Sequence, residues 1–319
     1  MKFNFKRNLN PVLQNKKKSN TSLVAKSTSS DPLEELLKKV RRIEIRSKNI
    51  SKQLFSGEYH SAFKGRGMSF AEVRPYQYGD DIRFIDWNVT ARYKEPYIKT
   101  FEEERELTVM LMIDMSKSDI FGTSNMTKQD LVVELTAVLS FSANTNNDKV
   151  GAVFFTDIIE KYIPPRKGRS HILRIIRELI DFEPLSKGTS ISKALIFITQ
   201  AIKKRSIVFL ISDFLDLEYE GPLGQAARKH DLIGIQVYDK AEQELPDAGL
   251  VLTKDPETGS QRWMDTSSSK TKTEYKAGFL KRQDYFKNVF QKNGADSMSV
   301  RIDQPYMPKL HEFFKKRKK

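Results

Sequence analysis

The chain has 319 residues, 39% hydrophobic and 30% charged, with no cysteine and a formal net charge of +14. That length suits one full-sized core with extensions, and the lack of cysteine excludes disulfides, thiolate nucleophiles and cysteine-ligated zinc. No run approaches the ~20 consecutive apolar residues of a spanning helix, and the amino terminus lacks a secretory apolar stretch, so the expectation is a cytoplasmic chain without membrane insertion.

Residues 1–30 carry seven Lys or Arg and no acid, and residues 315–319 add five more basic residues, which leaves about +2 for the body between. The first 30 residues mix Lys, Asn and Ser without a sustained period and read as a disordered basic arm. Asp31 and Pro32 then mark a helix start, and Leu33, Leu36, Leu37, Val40 and Ile43 recur at helical spacing through about Ser47. Such an amphipathic helix needs a surface to dock on. Residues 54–106 are dense in Gly, Arg, Asp and aromatics, with too little period for a helix, and are expected to fold against a neighbour. Within them Pro75 and Gly79 set turns, while Asp80, Asp81 and Asp86 lie within reach of Arg74, Arg83 and Arg92, with Tyr76 and Trp87 beside them. Buried arginine–carboxylate pairs of this kind fix one geometry. The other reading is a partner-docking face, because Arg, Tyr and Trp dominate interface hot spots.

From Leu107 the pattern changes to short, nearly continuous apolar runs at 107–113, 150–156, 207–211 and 232–237, as in parallel strands covered on both faces. Helical patterns separate them: Thr127 with Asp130 forms a capping pair ahead of Leu131, Val132, Leu135, Val138 and Leu139, and further helices fall at 172–180, 191–202 and 223–229. This alternation predicts an α/β fold with a doubly wound, mostly parallel sheet of Rossmann type, its functional crevice at the carboxyl ends of the strands. A β-hairpin at 249–265 around the turn 255–259, a helix at 272–292, a strand at 298–302 and a final basic helix at 308–315 close the chain. The organisation expected is a basic arm (1–30), a helix and signature segment packed on the core (31–106), the α/β domain (107–240) and a carboxyl-terminal extension (241–319).

The end of the first buried strand reads Ile113-Asp114-Met115-Ser116-Lys117-Ser118, a D-x-S-x-S arrangement at the crevice. Alternate residues leaving a strand point the same way, so one carboxylate and two hydroxyls can converge. Asp213 ends another buried strand, and Gly188-Thr189 precedes a helix and offers a further hydroxyl. Hard oxygen donors with only two charges suit a magnesium or manganese ion. Such a site keeps a position open for an acidic side chain from a protein partner. Asp114, Ser116, Ser118, Thr189 and Asp213 resemble the three-part metal-ion-dependent adhesion motif of von Willebrand factor A domains, over roughly residues 107–240. The resemblance implies direct ligation by Ser116 and Ser118, direct or water-mediated ligation by Thr189, and Asp114 and Asp213 as acceptors of metal-bound water. Phe214 departs from the pattern, since a glycine often follows the last acid.

The string Gly79-Asp80-Asp81-Ile82-Arg83-Phe84-Ile85-Asp86-Trp87, with Glu244-Leu245-Pro246-Asp247 and the turn at 255–259, resembles the bacterial domain-of-unknown-function family fifty-eight over residues 50–318. Members of that family commonly lie beside MoxR-type AAA+ ATPases and membrane-anchored von Willebrand factor A proteins. The resemblance therefore implies a soluble, non-enzymatic adaptor in the assembly or activation of protein complexes, a short form without the membrane helices that many relatives carry. Two other readings stand beside it. A magnesium-dependent phosphoester hydrolase could use the same site, although a haloacid-type enzyme would want an acid where Ser116 stands, and no Lys, His or Cys is placed as nucleophile or base. The basic ends could hold nucleic acid non-specifically, with no sequence-specific recognition expected.

Overall fold

The computed structural model describes residues 32–55, 68–103, 107–116, 126–186, 188–254 and 261–317. The expectations for residues 1–30, for Ser118 and for the turn at 255–259 lie outside the described residues.

Helix α1 (Pro32–Phe55) opens the described chain, followed by strand β1 (Met68–Pro75), a 3-10 turn (Ile82–Phe84), α2 (Trp87–Tyr93) and β2 (Tyr97–Glu103). The central unit runs β3 (Thr108–Asp114), α3 (Lys128–Thr145), β4 (Lys149–Phe155), β5 (Ile159–Arg166), α4 (Arg169–Ile180), α5 (Ile191–Ala201), β6 (Ile207–Ser212), α6 (Glu220–Lys229) and β7 (Asp231–Tyr238). A short α7 (Lys240–Gln243), the hairpin β8 (Leu250–Lys254) and β9 (Gln261–Asp265), α8 (Ser269–Lys292), β10 (Asp296–Arg301) and α9 (Tyr306–Arg317) complete it.

Six strands form one sheet in the order β10-β7-β6-β3-β4-β5. All neighbours are parallel except β5, which runs antiparallel at the edge. Consecutive residues of a buried strand point to opposite faces, and the core is accordingly two clusters. Val109, Leu111 and Ile113 pack with α3, α4 and α9, and Met110 and Met112 pack with α5, α6 and α8. Helix α3 begins as expected, with a reciprocal capping box between Thr127 and Asp130.

Helix α1 docks on α3 and α4 as a third layer. Val40 and Ile43 face the core cluster, and Arg46 to Glu134 and Arg169 to Glu44 pin the helix at its rim. The signature segment departs from expectation in two ways. It forms a separate two-stranded antiparallel sheet of β1 and β2, and its ion pairs lie at the surface rather than in a core. Arg74 grips Asp80 through two hydrogen bonds of 2.8 Å, and Arg83 grips Asp81. Asp86 takes Lys99 at 3.2 Å, not Arg92, and caps α2 through the N–H groups of Asn88 and Val89. Arg92 is exposed. Tyr76 is half-buried, its N–H bonded to the carbonyl of Pro96 at 2.9 Å, while Trp87 stands out at 71% exposure.

The final helix also differs from a solvated basic end. It runs to Arg317, whose guanidinium reaches Asp231 at 2.5 Å and Asp296 at 3.0 Å, tying α9 to the starts of β7 and β10. Among the described residues no helix is long and apolar enough to cross a membrane.

Candidate functional site

The two central strands β3 and β6 are hydrogen-bonded neighbours, so their carboxyl ends deliver Asp114 and Asp213 side by side at one edge. Parallel strands aligned this way concentrate loops at their carboxyl ends, the usual crevice of an open α/β sheet. Both acids are buried, as are Ser116 and Ser212.

Asp114 is held on both oxygens. Its Oδ1 accepts the Ser116 N–H at 3.0 Å and its Oδ2 accepts the Ser212 hydroxyl at 2.7 Å. That hydroxyl also accepts the Phe214 N–H at 3.1 Å, so Ser212 locks the two strand ends together. Asp213 accepts the Leu215 N–H at 3.3 Å on Oδ1, and its carbonyl accepts Gln236 Nε2 at 3.3 Å, which is steadied in turn by Ser299.

Thr189 lies in the loop ahead of α5. The next residue, Ser190, donates its N–H to the Thr156 carbonyl at 3.0 Å, and the Ile191 N–H goes to Asp216 Oδ2 at 3.0 Å. The threonine loop is thus stitched to the loop after β4 on one side and the loop after β6 on the other. Gly188, at the start of this loop, lies against Asp157, where a Cβ would meet the Asp157 Cβ at an ordinary contact distance of 3.4 Å. Beside it, Asp157 Oδ1 is buried without a hydrogen-bond partner.

The structure therefore brings Asp114, Ser116, Thr189 and Asp213 to one edge of the sheet. The residues Arg74, Tyr76, Asp80, Asp81, Arg83, Asp86, Trp87 and Arg92 belong to the β1–β2 unit instead, a separate sheet.

Phe214 resolves the departure noted in the sequence. Its φ of 54° lies in the left-handed region, the conformation a glycine adopts most easily. The backbone after Asp213 turns as glycine would, and the ring drops into the core against Tyr219, Phe286 and Phe290. Burying a ring offsets the conformational cost of a non-glycine residue there.

Sequence reasoning missed a cation. Lys128, the first residue of α3, is 0% exposed; its Nζ donates to Asp213 Oδ2 at 3.3 Å and lies 2.6 Å from Glu242 Oε1. Glu242 comes from α7, which follows β7. Burial raises its carboxyl pKa, against the pull of Lys128. Asp239 caps the same helix through the Ala241 N–H at 2.7 Å, and the Tyr275 hydroxyl donates to the Ala241 carbonyl at 2.9 Å. A lysine in the first helical turn opposes the helix dipole, but that placement alone does not tell a buried amine from a solvated one.

Hard oxygens make up the donor set at this edge, which fits magnesium or manganese. Among the described residues no group of three His, Cys, Asp or Glu is arranged to hold a metal ion. A cation would therefore rest on the hydroxyls of Ser116 and Thr189 and on water, with the two carboxylates behind them.

The family model described as "Protein of unknown function DUF58" matches residues 72–285. The chain belongs to this family. The uncharacterized protein Mb1516 of Mycobacterium bovis is 29% identical over 283 residues, 88% of this chain and 89% of that protein. The fold is similar to solved structures of lower identity. The conserved hypothetical protein BatB from Bacteroides thetaiotaomicron aligns with a TM-score of 0.44 at 16% identity, over 66% of this chain and 98% of that one. The VWA domain of SpRpn10 aligns with a TM-score of 0.37 at 13% identity, over 64% of this chain and 93% of that one.

Proposed function

We propose that this DUF58 chain is a protein-interaction module that takes an acidic side chain of a partner at a divalent cation on the carboxyl edge of its sheet. The observation that supports the reading most is the Ser212–Asp114 hydrogen bond of 2.7 Å, which ties the Asp114 carboxylate to the residue just before Asp213 at the ends of adjacent strands. When bound, magnesium or manganese supplies a Lewis-acidic centre that an incoming carboxylate completes. The chain's own residues do the rest. Ser116 and Thr189 offer neutral oxygens, Asp114 and Asp213 orient water, and Ser212 fixes the spacing. Ser118 completes the set by the motif resemblance.

The partner class proposed is a MoxR-type AAA+ ATPase or a membrane-anchored von Willebrand factor A protein, and the role is assembly or activation of protein complexes. A non-enzymatic role is favoured because Lys128, whose amine lies at the site, is fully buried and faces two carboxylates. A nucleophile or base needs access to its substrate.

The test is capture of the AAA+ partner by the full chain with and without chelator. Capture is expected to fail in chelator and in Ser116→Ala, with the circular dichroism spectrum unchanged. Capture indifferent to both would remove the cation from the mechanism. Magnesium-dependent phosphoester turnover abolished by Asp114→Ala would replace this reading with the hydrolase.

A further inference from the structure

Lys128 is an expensive residue for the fold to keep. An ammonium at 0% exposure loses its hydration, and a cation in the first turn of α3 opposes the helix dipole. Helix α3 does not need it, because the reciprocal capping box of Thr127 and Asp130 already satisfies that end. The lysine instead reaches to the site acid Asp213 at 3.3 Å and to Glu242 at 2.6 Å. These three side chains come from three separate elements, α3, the end of β6 and α7. Glu242 has no place in the adhesion-type motif, and its reach to the ammonium leaves that charge balanced by an acid outside the donor set.

We propose that Lys128 is a built-in counter-cation which, balanced by Glu242, positions the Asp213 carboxylate and sets how tightly the site holds a divalent ion. The inference rests on the cation reading above and assigns both residues as positioning residues. The ammonium at Asp213 repels an incoming divalent ion and holds the carboxylate turned inward, while Glu242 cancels part of that repulsion. Attraction and repulsion at such separations are strong where water is excluded. A site tuned this way binds its ion weakly enough to exchange it and gains affinity when a partner's carboxylate adds a negative charge. Glu242 thereby couples α7 to the metal edge: any displacement of α7 that separates Glu242 from Lys128 frees the ammonium for Asp213 and loosens the ion.

The experiment is manganese affinity of the full chain, by paramagnetic resonance of free Mn2+, in the wild type, Lys128→Met, Glu242→Gln and the double variant. Lys128→Met is expected to tighten binding about tenfold and Glu242→Gln to weaken it about tenfold. The double variant should return to within about threefold of the wild type, since it deletes a neutral pair. Opposite signs in the two single variants are the signature, because a merely structural role would weaken binding in both. Weakening in both, or no shift in either while the wild type binds manganese, overturns the proposal and leaves the cation reading standing. A wild type that takes no manganese overturns the cation reading itself, and this inference with it. Should Lys128→Met fail to fold, Lys128→Gln takes its place: it must tighten binding while Glu242→Gln weakens it, and weakening in both overturns the proposal.

Discussion

At the scale of single residues, the chain keeps polar groups where an apolar side chain would be simpler. His230 is 1% exposed, and neither ring nitrogen has a hydrogen-bond partner. It sits at the carboxyl end of α6, just before β7, far along the strand from the candidate site. Burial, helped by Lys229 and Arg205, pulls its pKa from the ordinary 6.5 down to about 4. The imidazole is therefore neutral in the folded protein over a range where the unfolded chain would protonate it. Its depressed value means the favourable state is intact above about pH 6.5, and stability is lost as pH falls towards about 4. That loss is expected to approach about 3 kcal/mol. Urea unfolding followed across this range should show a steeper slope in the wild type than in His230→Leu. The motif residues Asp114, Ser116, Thr189 and Asp213 were legible because a D-x-S-x-S and an isolated strand-ending acid are local strings. Lys128 was not, since nothing in Thr127-Lys128-Gln129-Asp130 tells an amine that faces solvent from one folded under the sheet edge.

At the scale of elements, the long apolar runs and the capped helices appeared where periodicity put them, because a strand covered on both faces must be apolar at every position. Strand β5 escaped notice. Ile159–Arg166 is an edge strand with two prolines, and edge positions tolerate both proline and charge. Strands β1 and β2 were hidden because they pair only with each other in a two-stranded sheet, where no run need be apolar at every position. The docking of α1 was foreseen from its apolar stripe, yet its seat on α3 and α4 depends on charges that only the fold brings together. Glu44 accepts both Arg169 Nε at 2.5 Å and Nη2 at 2.9 Å. The Arg169 hydrogen bond leads in lowering the Glu44 pKa from 4.5 to about 2, against burial and with help from Lys48. This carboxylate contributes stability above about pH 4.5 and loses it as pH falls through about 2. Arg169 is 60% exposed on its side chain, so solvent screening limits the contribution to about 1 kcal/mol. Glu44→Gln should cost that much at neutral pH and nothing near pH 2, as read by urea unfolding of the two proteins side by side.

At the scale of the whole molecule, a six-stranded sheet with helices on both faces gathers loops from β3, β4, β6 and β7 at one edge, and the proposed cation would draw on those after β3 and β6 together with the loop ahead of α5. An ion that binds only the folded chain stabilises all of it by mass action. At a hundredfold excess over its Kd, magnesium or manganese should add about 2.7 kcal/mol and raise the melting temperature by about 5 °C. Scanning calorimetry with chelator as the control reads this directly, and a melting temperature indifferent to both ions and chelator would argue against a bound cation. The amino-acid sequence by itself determined the class of fold, the positions of its buried strands along the chain and the strings that carry oxygen donors, because periodicity and short motifs are properties of neighbouring residues. Only the tertiary structure decided that the signature arginines pair at a surface hairpin, that Arg317 ties down the last helix, and that Lys128 and Glu242 stand against Asp213. The ion pairs of Lys128 with Asp213 and Glu242 and of Arg317 with Asp231 join residues 85, 114 and 86 positions apart, and charge carries no record in the sequence of which distant partner will neutralise it.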